Sequence, residues 1–287
     1  MSQSDAICQL EDFGTLRFRG PDARSFLQGQ LSNDVTQLVP GAILRAGMHS
    51  AQGRTLALLW LAASDSGDIL ALLPLELVAT VATQLRRYQL RAKLTITDES
   101  VQRRIYGRYA PGAAVPGPDS WSLAPNRALL IRAAGDSAPQ GEAMSRTQWR
   151  ALDIAAGLPQ VYAATSGQFV AQMLNLDCVD AISFSKGCYT GQEVIARSHY
   201  RGRVKRRLQR FESLVPGTLA IGDSGRFEDG RAFRVIEAMQ RAGGCSEFLA
   251  VAALPDAARE NQEGAGSSTV QSLLKTRALP LPYPWPD

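Results

Sequence analysis

The stretch KGCYTGQEVIARSHYRGR, Lys186 to Arg203, holds one cysteine between two glycines, with several arginines close behind. Thr190 is followed three residues later by Glu193, and two apolar residues come next. A threonine followed by a glutamate at this spacing is the capping-box pattern of a helix N-terminus. The stretch therefore predicts a helix that begins near Gly191 and stops at Gly202, because glycine is common just past a helix end.

The cysteine of this stretch, Cys188, falls on the turn that enters the predicted helix. Amide groups at a helix N-terminus carry partial positive charge, and Lys186 and Arg197 add formal charge nearby. Each of these effects lowers the pKa of a thiol, and the neighbouring glycines leave space for a ligand. The pattern favours a reactive, accessible thiolate over the alternative of a small buried cysteine at a tight turn.

The composition is that of an ordinary globular protein, with 45% hydrophobic and 20% charged residues. The length of 287 residues predicts two or three domains. The longest apolar runs, such as TLALLWLAA from Thr55 to Ala63, are far shorter than the roughly 20 residues that span a bilayer. The first residues lack the basic-then-apolar pattern of a leader segment. We therefore expect a cytoplasmic protein that makes no membrane contact.

The other three cysteines, Cys8, Cys178 and Cys245, are scattered, and the only histidines are His49 and His199. No Cys-x-x-Cys pair is present, so a tetrahedral zinc site is not expected and no residue is assigned to a metal. In a reducing compartment all four thiols are expected to be free.

A run of positive charge follows the predicted helix. Between Glu193 and Glu212 there is no acid, while seven basic residues lie from Arg197 to Arg210. The net charge of the whole chain is only +4, so the local distribution is more informative than the total. The run fits either a solvated helix end and edge strand, or a surface that attracts a polyglutamate, a phosphate or an RNA backbone.

Local patterns indicate an α+β chain. TLALLWLAA and DILALLP are typical of buried strands, and a helix with one apolar face is predicted from about Pro74 to Leu90. Ser145 and Gln148 form a second capping-box pattern. After Gly202, short strands alternate with turn signals, which indicates an all-β module, either a barrel or a sandwich. The predicted helical face consists of Val78, Val81, Ala82 and Leu85.

Four stretches together resemble the YgfZ family of folate-binding proteins, which are relatives of the glycine-cleavage T-protein, an aminomethyltransferase. The octapeptide KGCYTGQE resembles the signature of that family. The stretches FLQGQLSNDV (26–35), AQMLNLD (171–177) and YRGRVKRRL (200–208) fit the same family in order and spacing. The resemblance covers essentially the whole chain.

The resemblance implies a ring of three domains around a central channel. Residues 1–108 would form an N-terminal α+β folate-binding region, which with residues 150–200 makes two interleaved α+β domains. Residues 109–200 would form a second α+β region that carries KGCYTGQE. Residues 201–287 would form a C-terminal β-barrel. The resemblance further implies that the protein binds tetrahydrofolate and serves iron–sulfur enzymes or their assembly, including the enzymes that thiomethylate tRNA.

The family pattern also assigns the site residues. Asp177 takes the place of the carboxylate that binds the pterin, which suits a carboxylate because it accepts two parallel hydrogen bonds from an amino-pyrimidine edge. The alternative interpretation is that Asp177 only caps or turns the chain at this point. The group expected to react is the thiol of Cys188, assisted by Lys186 and Glu193. The further folate contacts are expected from Gln172, Asn175, Tyr189, Gln192, Arg197 and Arg54.

Two other functions stay open at this point. The first is a true one-carbon transferase or demethylase, but the stretch AQGRTLALLWLAA (51–63) has no acid where the T-protein has its catalytic aspartate. Charge developing at the folate nitrogen would then lack its partner, so glycine cleavage is not expected. The second is direct tRNA binding through Arg197 to Arg210, although few aromatic residues are interleaved there. The expected partners are folate and iron–sulfur enzymes or assembly proteins.

Overall fold

The computed structural model describes residues 5–64, 66–111, 120–202, 204–254 and 273–286. Its strands form three five-stranded sheets. The helices are α1 (Ala23–Gln30), α2 (Leu75–Gln89), α3 (Arg146–Ala155) and α4 (Gln192–Tyr200), with short 3-10 helices at Val35–Gln37 and Ala171–Leu174. Helices and strands thus share one chain, in agreement with the predicted α+β class.

The first sheet is antiparallel and has the order β3-β4-β5-β2-β6. TLALLWLAA forms its strand β4 and is almost entirely buried, because apolar side chains on both faces need cover on both faces. Helix α2 covers one side with the four predicted residues of its apolar face, all buried. The strands are β2 (Phe13–Arg19), β3 (Ile43–His49), β4 (Thr55–Ala63), β5 (Ile69–Pro74) and β6 (Thr95–Asp98).

The second sheet has the order β10-β1-β7-β9-β8, and the first strand of the chain lies inside it. Helix α3 begins with the predicted capping box of Ser145 and Gln148, which is confirmed. Trp149 of α3 is fully buried against β7, where a Cβ atom at Gly107 would lie 2.5 Å from the indole ring. The strands are β1 (Ala6–Gln9), β7 (Arg103–Tyr109), β8 (Ser120–Ala124), β9 (Arg127–Ala133) and β10 (Glu142–Ala143).

The third sheet is antiparallel, lies C-terminal to α4 and has the order β12-β13-β14-β11-β15. The predicted all-β module is therefore present. An isolated bridge joins Phe227, next to edge strand β12, to Leu274, next to edge strand β15, so the sheet curls until its edges meet at one point. Ladder hydrogen bonds among the described residues do not close it into a barrel. The strands are β11 (Arg206–Ser213), β12 (Ser224–Arg226), β13 (Ala232–Gln240), β14 (Ser246–Ala253) and β15 (Thr276–Leu279).

The sheets are held together by packing between their layers. Helix α3 contacts β13 and β14 of the third sheet, and the 3-10 helix at Ala171–Leu174 contacts both β11 and α4. One apolar cluster includes Leu16 and Leu59 of the first sheet together with Leu208 and Leu249 of the third. The KGCYTGQE stretch and residues 171–177 consequently lie on neighbouring elements.

Candidate functional site

The signature stretch is anchored at Lys186, which is buried under the loop. Its ammonium group donates hydrogen bonds to the backbone oxygens of Gln28 and Leu31, the latter at 2.6 Å, and lies 4.9 Å from the ring centre of Tyr189. The carbonyl oxygens at the end of α1 lack partners within the helix, so a lysine there satisfies them. Burial lowers the pKa of Lys186 to about 8, against the nearby Asp34 carboxylate, which raises it. Two of its three N–H donors are thus bound to the end of α1.

Helix α4 begins at Gln192, close to the predicted start, but its cap differs from the prediction. The N-cap is Gly191, with φ of +84°, and no side chain caps the helix, so the predicted Thr190–Glu193 capping box is wrong. A Cβ atom at Gly191 would lie 2.4 Å from the backbone oxygen of Ser50. Only glycine fits such a left-handed, closely approached position, and this tertiary contact overrides the local cap.

Cys188 lies in the loop that leads into α4, and its side chain is exposed. The other cysteines are more enclosed. Burial raises the pKa of Cys8 to about 11 and that of Cys178 to about 12, so both are protonated thiols at neutral pH. Cys245 is half-buried. Cys188 is therefore the thiol that a solute reaches most easily.

The remaining residues of the signature divide between interior and surface. Tyr189 is buried, and burial raises its pKa to about 12, so its hydroxyl stays neutral. Glu193 is exposed in the first turn of α4, where a carboxylate interacts favourably with the helix dipole. Gln192 is half-buried at the first helical position, and Arg197 is exposed one turn later. Only the surface members, together with Cys188, are available to a ligand without rearrangement.

His49 lies beneath the signature loop and was not predicted as a site residue. It is fully buried, 6.3 Å from Tyr189 between ring centres, and neither ring nitrogen has a hydrogen-bond partner among the described residues. Burial lowers the pKa of His49 to about 3, so the ring is neutral. A histidine preceding a turn gives no sequence signal for this position, because Gly47, Tyr189 and Gly191 enclose it only in the fold.

Arg54 and the signature are brought together by the turn between β3 and β4. A Cβ atom at Gly53 would lie 2.9 Å from the Cβ of Val194, so this turn rests directly on α4. Arg54 is exposed and its Nη1 donates to the backbone oxygen of Gln168 at 2.8 Å. One guanidinium nitrogen is thereby committed to the backbone, and the rest of the group faces solvent.

The carboxylate of Asp177 is buried and paired inside the protein. Its two oxygens accept hydrogen bonds from Nη1 and Nη2 of Arg207, each at 3.0 Å, and the two side chains are 2% and 6% exposed. The bidentate geometry is a strong one. A pterin at Asp177 would therefore have to share the carboxylate with Arg207.

The two amides predicted near Asp177 are buried as well. Gln172 donates to the backbone oxygen of Ile195 at 2.7 Å, which ties the 3-10 helix to α4, and its Oε1 has no partner among the described residues. Asn175 donates to the backbone oxygen of Leu208 at 3.0 Å. Tyr283 of the C-terminal tail lies over this group, with its hydroxyl 3.4 Å from Asn175 Nδ2 and donating to the oxygen of Gly157 at 2.6 Å.

A separate cavity of about 570 Å³, within the range of small-molecule sites, lies where the start of α2 and helix α3 meet loops from three other parts of the chain. We call it the junction cavity. Four of its lining residues are apolar and four carry polar or charged groups. None of its residues was predicted: they are Asp12, Pro74, Leu75, Glu76, Arg150, Tyr162, Ala164 and Ile221.

A buried polar group adjoins this cavity. Nε of Arg150 lies 3.1 Å from Oε2 of Glu237, yet the two atoms are not aligned for a hydrogen bond. The hydroxyl of Tyr162, which lines the cavity, interacts with the same carboxyl group. Burial raises the pKa of Glu237 to about 7, against the lowering effect of Arg150. Unsatisfied polar atoms beside a cavity are the usual mark of a site that receives water or a ligand.

Glu237 gives the fold a defined pH dependence. Because its pKa rises from 4.5 to about 7, the folded protein holds this proton more tightly than the unfolded chain does. The stabilisation is complete below pH 4.5 and is lost as the pH rises through 7. The charged and titratable groups around Glu237 are Arg150, Arg146, Asp153 and Tyr162. Chemical unfolding at pH 5 and pH 8 should show wild type losing about 2–3 kcal/mol more than Glu237→Gln over this interval. The exposed Glu228→Gln is the control, and equal losses in all three proteins would contradict the assignment.

No helix among the described residues is long and apolar enough to cross a bilayer. In the same part of the chain, no three or more histidine, cysteine, aspartate or glutamate side chains are grouped closely enough to hold a metal ion.

Comparison with known proteins places this geometry in a family. No family model matches the chain. The tRNA-modifying protein YgfZ of Klebsiella pneumoniae is 32% identical over 98% of this chain and 94% of its own length. The tRNA-modifying protein YgfZ of Serratia proteamaculans is 34% identical over 72% of this chain and 70% of its own. The glycine cleavage system aminomethyltransferase T of Bartonella henselae superposes with a TM-score of 0.63 at 11% identity, over 88% of this chain and 79% of its own. The chain therefore has the aminomethyltransferase fold and belongs to the YgfZ family of tRNA-modifying proteins.

Proposed function

We propose that this protein is a tetrahydrofolate-binding accessory factor for the assembly or repair of iron–sulfur clusters, and that it supports the enzymes that thiomethylate tRNA. The observation that carries the proposal is the exposed Cys188 in a loop fixed by the buried Lys186 and by Gly191. Membership in the YgfZ family and the aminomethyltransferase fold support it.

The thiol is the chemical group of this proposal. A single exposed cysteine is suited to a transient bond with a one-carbon group, a persulfide sulfur or an iron atom, whereas a stored cluster usually takes four thiolates. Glu193 in the next turn is the proposed acid–base partner, and Lys186 holds the loop in place through α1. Gln192, Arg197 and Arg54 are the proposed residues around the ligand, and the buried Tyr189 supports the loop by packing against Lys186.

Two carboxylate sites are candidates for the pterin. Asp177 follows the family pattern, but its oxygens are bound by Arg207. The junction cavity has Asp12 and Glu76 among its lining residues, with apolar residues that suit a flat ring. Both oxygens of Asp12 accept hydrogen bonds from Arg146, and one oxygen of Glu76 accepts from a backbone N–H, so a pterin would share these carboxylates too. An amino-pyrimidine edge pairs well with a carboxylate at either place.

Calorimetric titration with tetrahydrofolate tests the folate part of the proposal and separates the two sites. Asp177→Asn keeps the shape of the side chain, Arg150→Gln changes the junction cavity, and Asp229→Asn removes an exposed acid as the control. We expect one saturable site in wild type and a Kd at least about tenfold higher in the variant that alters the pterin site. Absence of binding heat in wild type would contradict folate binding. Unchanged affinity in both site variants would place the folate outside both sites.

A further inference from the structure

Three aromatic side chains form a stack on the surface at the end of α4. The rings of Phe184 and His199 are parallel within 13°, with centres 3.8 Å apart. Tyr200 meets both of them edge-on, at 4.7 Å from His199 and 6.2 Å from Phe184. Tyr200 is 68% exposed, and His199 is exposed as well. We call these three residues the ring surface.

Unpaired positive charge borders the ring surface. Arg197 lies three residues before Tyr200 and four before Arg201, a spacing that places all three side chains on one face of the helix end. Arg197 and Arg201 are both exposed, and neither forms an ion pair or side-chain hydrogen bond with any residue that the structure describes. Their charge is therefore available to an anion.

The rest of the basic run is less available. Arg207 is buried against Asp177, and Arg210 is paired with Glu247 at 2.6 Å. Arg203 lies outside the described residues. The seven charges counted in the sequence thus do not form one surface. Arg197 and Arg201 lie beside the rings, whereas the exposed Arg206 lies at the start of β11.

We propose that the ring surface binds unpaired nucleotides of RNA. Exposed aromatic faces accept bases by stacking, and arginines one helical turn away neutralise the phosphates of the same strand. An RNA strand supplies both a base for an exposed ring face and a phosphate for each arginine, which is the combination that this surface presents. The proposal rests on the proposed role in tRNA modification for the nature of the ligand, but it requires neither folate nor the thiol.

Fluorescence anisotropy with a labelled octauridine, at several salt concentrations, tests the proposal on the full chain. Tyr200→Ala and His199→Ala should each weaken binding at least about fivefold, because each removes a stacking face. Arg197→Gln combined with Arg201→Gln should reduce the magnitude of the salt slope by roughly 1.4, the value for two phosphates of a single strand. Tyr88→Ala is the matched control, since Tyr88 is 48% exposed beside arginines on α2 but has no ring contact among the described residues.

The result of the RNA-binding experiment can be distinguished from a failure of the proposed folate-binding function. Equal affinity of Tyr200→Ala, Tyr88→Ala and wild type for octauridine would overturn the proposal. No binding by wild type at low salt would overturn it too and would leave the rings to a protein contact. Tetrahydrofolate titration of Tyr200→Ala should match wild type, so loss of RNA binding with folate binding retained locates the effect at the ring surface.

Discussion

Replacement of Asp177 by alanine is expected to lower the free energy of unfolding by about 3–5 kcal/mol. The substitution leaves the guanidinium of Arg207 buried without its carboxylate, at 5% exposure of the residue. Arg207 also donates to the backbone oxygen of Gln172 and to Asn175 Oδ1, at 3.2 and 3.3 Å, and these longer bonds do not replace an opposite charge. Urea unfolding followed by circular dichroism measures the change.

A double-mutant cycle shows whether the loss of stability comes from breaking the Asp177–Arg207 ion pair. Asp177→Ala combined with Arg207→Ala should be less destabilised than the sum of the two single changes, because the second change removes the unpaired charge. Asp229→Ala is the control: its ion pair with Arg231 is half exposed, and surface pairs of this kind contribute about 0–1 kcal/mol. A loss below about 1 kcal/mol for Asp177→Ala would mean that the pair has little structural role.

The elements that the sequence predicts correctly are those with a strong local signal. The apolar face of α2 follows from helical spacing, and the cap of α3 follows from Ser145 and Gln148, which bond to each other across one turn. TLALLWLAA is long enough and apolar enough to be a buried strand wherever it packs. The all-β module after Gly202 follows from its frequent turn signals. In each case the signal lies within the predicted segment itself.

The predictions that fail or stay untested depend on distant contacts. The cap at Thr190 is replaced because Gly191 presses against Ser50, which is far away in sequence. Lys186 resembles a base placed beside a thiol, but its partners are the end of α1. The membership of β1 in the second sheet depends on pairing with β7 and β10, which no local pattern announces.

The junction cavity could not be predicted from the sequence for the same reason. Its residues come from separate segments of the chain, and none of them stands in a motif. Glu237 lies on a strand where a charged residue normally faces solvent, and only the packing of α3 on β13 buries it beside Arg150. Burial and unsatisfied hydrogen bonds identify such a site, and both quantities exist only after folding.

Replacement of Cys188 by alanine is expected to abolish the function while leaving the fold intact. The side chain is exposed, so its loss removes no packed volume and the melting temperature should stay within a few degrees of wild type. Cys245→Ala, at a half-buried thiol outside the signature, is the matched control. The two variants differ in the position of the lost thiol, and expression levels should be equal.

The central claim is that this one thiol serves the thiomethylation of tRNA. The most direct measurement is the content of thiomethylated nucleosides in tRNA, determined by mass spectrometry in a bacterium that lacks its own YgfZ and expresses wild type, Cys188→Ala or Cys245→Ala. We predict wild-type levels with Cys245→Ala and the level of the deletion strain with Cys188→Ala. Full restoration by Cys188→Ala would contradict the account.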